Sequence, residues 1–182
     1  MKNKLLNLAV AVGLALSASS ANAALYNFTQ IGFDNGASVS GSFQASDLDG
    51  DGLLEGGTLA TIQEITAFTL TFSGNSIVPA FTHTLSDLTF LNYRFSSANN
   101  TLGENNPEGV ATRWFDTTGY TYVSGLSTNG QNGAGIINWQ TDEETISEQL
   151  ITVTPAAVPV PGAVWLFGSA LIGLVGLKRS NA

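Results

Sequence analysis

The chain has 182 residues, 43% of them hydrophobic and only 11% charged, with a formal net charge of −8 and no cysteine. Without cysteine there is no disulfide framework, no thiol nucleophile and no thiolate metal site. The four basic residues Lys2, Lys4, Lys178 and Arg179 lie at the ends, so residues 24–157 hold only Arg94 and Arg113 against all 14 acidic residues, a net charge of −12. So acidic a segment argues against nucleic acid or an anionic membrane surface as partner, and it is compatible with divalent cations.

The first stretch reads as a secretory signal. Lys2 and Lys4 make a positive start, residues 5–18 are apolar apart from Asn7 and Ser17, and Ala21-Asn22-Ala23 has the small-residue spacing of a cleavage site. Cleavage after Ala23 opens the mature chain at Ala24. Residues 24–157 then number 134, enough for one domain with its own core.

That middle segment reads as β throughout. Strands are expected over residues 26–33, 37–45, 64–73, 81–85, 88–95, 111–115, 120–124, 135–140 and 146–154. In the second, Val39, Gly41 and Phe43 share a face. In the third, Thr66, Phe68, Leu70 and Phe72 alternate with Ala67, Thr69, Thr71 and Ser73. Ser73-Gly74-Asn75-Ser76 is a turn, and Ser86-Asp87 joins the fourth and fifth strands as a pair. Residues 53–63 have the weakest strand pattern and are compatible with a short helix. Eight to nine short strands with turns between them predict an all-β fold, an antiparallel β-sandwich of jelly-roll-like type. Residues 96–109 and 127–135 are loops whose Asn and Gly residues serve turn chemistry or, at one end of such a fold, binding.

The strongest local motif is Asp47-Leu48-Asp49-Gly50-Asp51-Gly52-Leu53-Leu54. Carboxylates at alternate positions, Gly at the sixth and an aliphatic residue at the eighth form the opening of an EF-hand-type calcium loop. A tight turn at Gly52 brings Asp47, Asp49 and Asp51 toward one point, and the Leu53 carbonyl adds a further oxygen. Position twelve is Thr58 where a glutamate is required, and the residues before the loop are strand-like, so this is not a regular EF-hand. A solvated Asp/Gly turn is the competing reading.

His83 is the only histidine, and its place between Phe81 and Leu85 in a strand reads as a satisfied, partly buried side chain. One histidine without cysteine makes a usual zinc site improbable, and no G-x-S-x-G elbow supports a serine triad. Asp142-Glu143-Glu144 reads as a solvated acidic turn. Trp114 and Trp139 have the chemistry to stack on sugar rings, but single tryptophans in strands more often serve the core.

The last 25 residues have three parts in order. Val158-Pro159-Val160-Pro161 is stiff and extended. Residues 163–177 run without a charge, and Lys178-Arg179 closes the run. As a helix the apolar run is about 22 Å long, short of the roughly 30 Å hydrocarbon core. Counting from Val158 gives 20 uncharged residues, sufficient with snorkelling of the basic pair. The positive end favours a cytoplasmic C-terminus.

This order of proline motif, Trp165-containing apolar helix and basic end resembles the PEP-CTERM protein-sorting tail of Gram-negative bacteria, also named an ice-binding protein C-terminal domain. Pro159-Val160-Pro161 stands where the family has Pro-Glu-Pro, a known variant. The resemblance implies processing by an exosortase-type enzyme, after export and cleavage of the signal by signal peptidase. It also implies anchoring in the inner membrane before release to the envelope or extracellular matrix. Residues 41–75 resemble a further stretch of such proteins, in which a DxxGDG loop is followed by a glutamate and a strand ending in Phe-Ser-Gly-Asn-Ser. Phe72-Ser73-Gly74-Asn75-Ser76 matches that ending, and Glu64, or the nearer Glu55, stands for the glutamate. The expected function is therefore an exported, non-catalytic envelope or matrix protein, with calcium as the expected ion and exopolysaccharide as an expected partner. A calcium-dependent carbohydrate-binding or adhesive module and an extracellular glycan hydrolase are the alternatives.

Overall fold

The computed structural model describes residues 23–95, 100–104, 107–125 and 133–156. The expected signal helix, the C-terminal apolar helix and parts of the two Asn-rich loops, residues 96–99, 105–106 and 127–132, lie outside these residues.

Alternation of apolar with Thr, Ser and Asn side chains in most segments gives twelve strands among the described residues: β1 (Ala24–Gln30), β2 (Val39–Ala45), β3 (Leu53–Gly56), β4 (Ile65–Phe72), β5 (Phe81–Thr84), β6 (Leu88–Arg94), β7 (Thr101–Leu102), β8 (Gly109–Thr112), β9 (Tyr120–Ser124), β10 (Ala134–Asn138), β11 (Glu143–Ser147) and β12 (Ile151–Pro155). The helical elements among the described residues are two three-residue 3-10 turns, Asp34–Gly36 and Leu85–Asp87. No helix among them is long and apolar enough to cross a membrane.

The strands form two six-stranded antiparallel sheets. Sheet A has the order β5-β4-β2-β1-β12-β7, and sheet B the order β11-β10-β9-β8-β6-β3. The period of two sends Tyr26, Phe28, Val39, Phe43, Phe68, Leu70 and Phe72 of sheet A into one core with Leu54, Leu88, Leu91, Tyr93, Val110, Tyr122 and Ile136 of sheet B. Tyr26 stacks on Phe43 at 4.9 Å, and the Tyr93 ring from the other sheet meets both edge-on. Gly41 has no side chain because a Cβ there would lie 2.3 Å from the Phe28 ring and 2.1 Å from the Thr69 carbonyl oxygen. Tyr122 donates its hydroxyl to Gln30 across the core at 2.6 Å. The Gln30 amide in turn donates to Ser124 and to the Gln149 carbonyl, so this buried polar group is fully engaged.

Several expectations are corrected. Residues 53–63 hold strand β3 and not a helix: Leu53 and Leu54 pair with Arg94 and Tyr93, and tertiary pairing decides where local pattern is weak. The stretch expected as one strand over 146–154 is two, β11 and β12, which belong to opposite sheets. β5 and β6 are not a hairpin, because β5 pairs with β4 in sheet A and β6 crosses to sheet B. The short 3-10 turn between them, closed by a Thr84–Asp87 capping box, makes the crossing. Trp114 and Phe115 lie beyond β8, and Trp139 lies just beyond β10. Thr66 faces solvent and Ile65 takes the inward place, because a β-bulge inserts one residue of β4 opposite Gln44 and Ala45.

Register also fixes the ends of the domain. Ala24 pairs with Ala45, Ala45 with Ile65, and Tyr26 with Pro155. The start of β1, the end of β2, the start of β4 and the end of β12 therefore share one end of sheet A. The acidic loop that follows β2 leaves from this same end.

Candidate metal centre

The loop is folded by its own carboxylates. Asp47 Oδ1 accepts the Gly50 N–H at 2.7 Å and Oδ2 the Gly52 N–H at 3.2 Å. Asp49 accepts the Asp51 N–H at 3.2 Å, and Asp51 accepts the Leu53 N–H at 2.7 Å. Gly50 and Gly52 both have φ near +80°, a region other residues enter at a cost, which explains the D-G-D-G spacing.

Glu64 arrives from the other side, at the foot of β4, and is only 2% exposed. Its Oε1 accepts the Leu48 N–H at 2.5 Å and its Oε2 the Glu55 N–H at 2.9 Å. Backbone bonds lock it in place: Glu64 N–H donates to the Glu55 carbonyl at 2.8 Å, and Ser46 N–H donates to the Glu64 carbonyl at 3.2 Å. Asp47, Asp49 and Glu64 each bring a carboxylate oxygen to within 4.8 Å of the others. Glu55, on β3, feels this charge. Burial, then Asp51, Glu64 and Asp49, raise its pKa above the usual carboxylate range.

Three carboxylate oxygens so placed could hold a metal ion. Calcium takes six to eight oxygens at about 2.3–2.6 Å, so ligands on opposite sides of it stand roughly 5 Å apart. A carboxylate offers about four lone-pair sites, so one or two N–H bonds leave each group able to bind metal. Of the residues expected at this site, Asp47, Asp49 and Glu64 come together. Asp51 lies outside that group, and Leu53 is the first residue of β3. Val158, Pro159, Val160, Pro161, Lys178, Arg179 and Ala21 lie outside the described residues, and Ala23 immediately precedes β1. What marks Glu64 in the sequence is a lone charge heading an otherwise uncharged strand.

The other candidates lie apart from this group. His83 is buried between the sheets with Nδ1 hydrogen-bonded to Thr112 Oγ1 at 2.8 Å, and its ring lies 4.7 Å from that of Phe81. Trp139 donates its indole N–H to Thr121 at 2.7 Å, and Trp114 packs on Phe90 at 5.8 Å. Asp142 occupies a turn with φ near +57°, and Glu143 and Glu144 open β11. No protein-family model, curated protein or solved structure matches this chain.

Proposed function

We propose that this chain is an exported, non-catalytic envelope or matrix protein built on a jelly-roll-like β-sandwich, with calcium in the loop formed by Asp47, Asp49 and Glu64. The observation that carries the metal reading is the meeting of three carboxylates from two chain segments, one of them buried. Like charges so placed repel one another unless a cation or protons intervene. Export rests on the sequence: the signal-like start and the Pro159-Val160-Pro161 segment with its apolar run and Lys178-Arg179 resemble a sorting pair. Two structural facts suit this reading. β1 begins at Ala24, the residue that would open the mature chain. The acidic loop leaves β2 at the end of sheet A where β12 also ends.

The test is cell fractionation of the full chain and two variants. Leu14→Arg with Leu16→Arg should leave a cytoplasmic precursor, because charges in the apolar segment oppose insertion. Deleting residues 159–182 should release a folded domain into the medium. Normal export of the first variant, or unfolding of the second, would refute the reading.

A further inference from the structure

The six strands of sheet A contain no Asp, Glu, Lys or Arg, although residues 24–157 carry a net charge of −12. The strands of sheet B do carry charge, at Glu55, Arg94, Glu143 and Glu144. Apart from Leu25 and Ala67, the outward positions of sheet A are instead hydroxyl and amide groups set in register, and carboxylates meet them at the two ends, Asp87 on Thr84 and Glu104 on Thr101. One row across the strands reads Thr154, Asn27, Ser42, Thr69, Thr84. The next reads Thr101, Thr152, Thr29, Ser40, Thr71, Thr82. Within a row, neighbours are about 4.8 Å apart and the two rows about 6.6 Å apart, from the strand spacing and rise. Thr71 and Thr82 hydroxyls bond to each other at 3.0 Å, so the row is linked at its β5 end.

Strand propensity explains threonine but not the absence of charge. Exposed faces and edge strands of natural sheets commonly carry lysine or other charges that keep them from pairing with other chains. β5 is an edge strand and has none. We propose that the outer face of sheet A is a docking surface for a chain of neutral, hydroxyl-rich polysaccharide lying across the strands along these two rows.

The partner follows from chemistry. Each hydroxyl both donates and accepts, as do those of a sugar, and each threonine methyl offers an apolar spot for the C–H face of a ring. An anionic polymer is repelled by the domain's charge. A second copy of the chain would bring two such charges together. A rigid crystal plane such as ice does not follow a sheet whose strands turn by about 20–25° each, roughly 80–100° from β12 to β5, whereas a flexible polymer does. This proposal draws on the export reading only for where the partner is met. Binding in vitro tests the face alone, and failure of export leaves it standing.

The test is native affinity electrophoresis of the full chain in mild detergent, in gels containing hydroxyethylcellulose, dextran or galactomannan, with alginate as the anionic comparison. At least one neutral polymer should retard the protein and alginate should not. Thr29→Glu with Thr71→Glu should weaken retardation by about tenfold or more, since a charge left against uncharged hydroxyls loses its hydration. Thr71→Lys alone should weaken it too, which separates loss of fit from simple repulsion. Ile146→Glu, a change at an exposed position of sheet B, should leave it intact, and unchanged melting should show that each variant is folded. The proposal is overturned if none of the neutral polymers binds, if the row variants bind as wild type, or if alginate binds best. It is equally overturned if the row variants abolish only self-association or only inhibition of ice recrystallisation.

Discussion

A carboxylate oxygen of buried Glu64 stands within 4.8 Å of one on Asp47, although 17 positions separate the two residues in the chain. Glu64 also receives the Leu48 and Glu55 N–H groups, so it is the link between the loop, β3 and β4. Replacing Glu64 by Ala leaves two backbone donors without their acceptor. The expected loss is about 3 kcal/mol of unfolding free energy, from two bonds to a charged group. Asp49→Ala, at an exposed position, should cost far less. Urea denaturation of both variants without calcium checks the order. Equal losses would show that Glu64 does not organise the loop.

Tyr122 and Gln30 test the union of the two sheets. Burial pushes the Tyr122 phenol well above its ordinary pKa, and its hydroxyl is the donor to Gln30 Oε1. Tyr122→Phe removes the donor and leaves a buried acceptor, at a cost of about 1–3 kcal/mol. Phenylalanine keeps the ring packing, so the loss read by urea denaturation should come with no change in far-UV dichroism.

His83 gives stability a pH dependence. Burial is the main cause lowering its pKa below the ordinary 6.5. Arg113 pushes the same way and Asp87 opposes it. The unfolded chain therefore takes up a proton at higher pH than the folded one. The stability from this group is full above about pH 6.5 and is lost as pH falls from there toward the folded pKa. His83→Gln, which keeps a polar partner for Thr112, should flatten the denaturation midpoint across that window.

Glu55 acts in the opposite sense. Its raised pKa means that the folded state holds the proton to higher pH than the unfolded chain. Its contribution is full below the ordinary carboxylate range and declines as pH rises through the folded pKa. Glu55→Gln should therefore raise the denaturation midpoint of the ion-free protein at neutral pH. Calcium should shrink the difference between variant and wild type, because a cation supplies the same relief.

The parts of the fold legible in the sequence were those set by period two. Phe68, Leu70 and Phe72 face the core as their alternation requires, and Val39 and Phe43 do likewise. Partner choice was not legible, because alternation says which side chains face inward and nothing about which strand lies alongside. β5 and β6 were for that reason expected to pair, and β11 and β12 to be one strand. Thr66 was misplaced because a bulge shifts the period by one residue without altering composition. In the loop, the D-x-D-G-D-G spacing marked Asp47 and Asp49. It also marked Asp51, which like Asp49 accepts the N–H two residues on but lies outside the group of oxygens within 4.8 Å, a difference that spacing does not determine. Glu64 is reached through the resemblance, since a lone charge heading an uncharged strand does not by itself tie it to a loop so far upstream.

The most direct measurement is calorimetric titration of calcium into the chelator-stripped full chain, with a melting curve at each end of the titration. The account predicts one saturable site. It also predicts a melting temperature that rises with calcium, by the equivalent of about 2.7 kcal/mol at a hundredfold excess over the dissociation constant. Both signals should be absent in Asp47→Asn with Asp49→Asn, and magnesium should substitute poorly because it demands strict octahedral geometry. No heat and no change in melting at millimolar calcium would contradict the account and leave the loop an ordinary acidic turn.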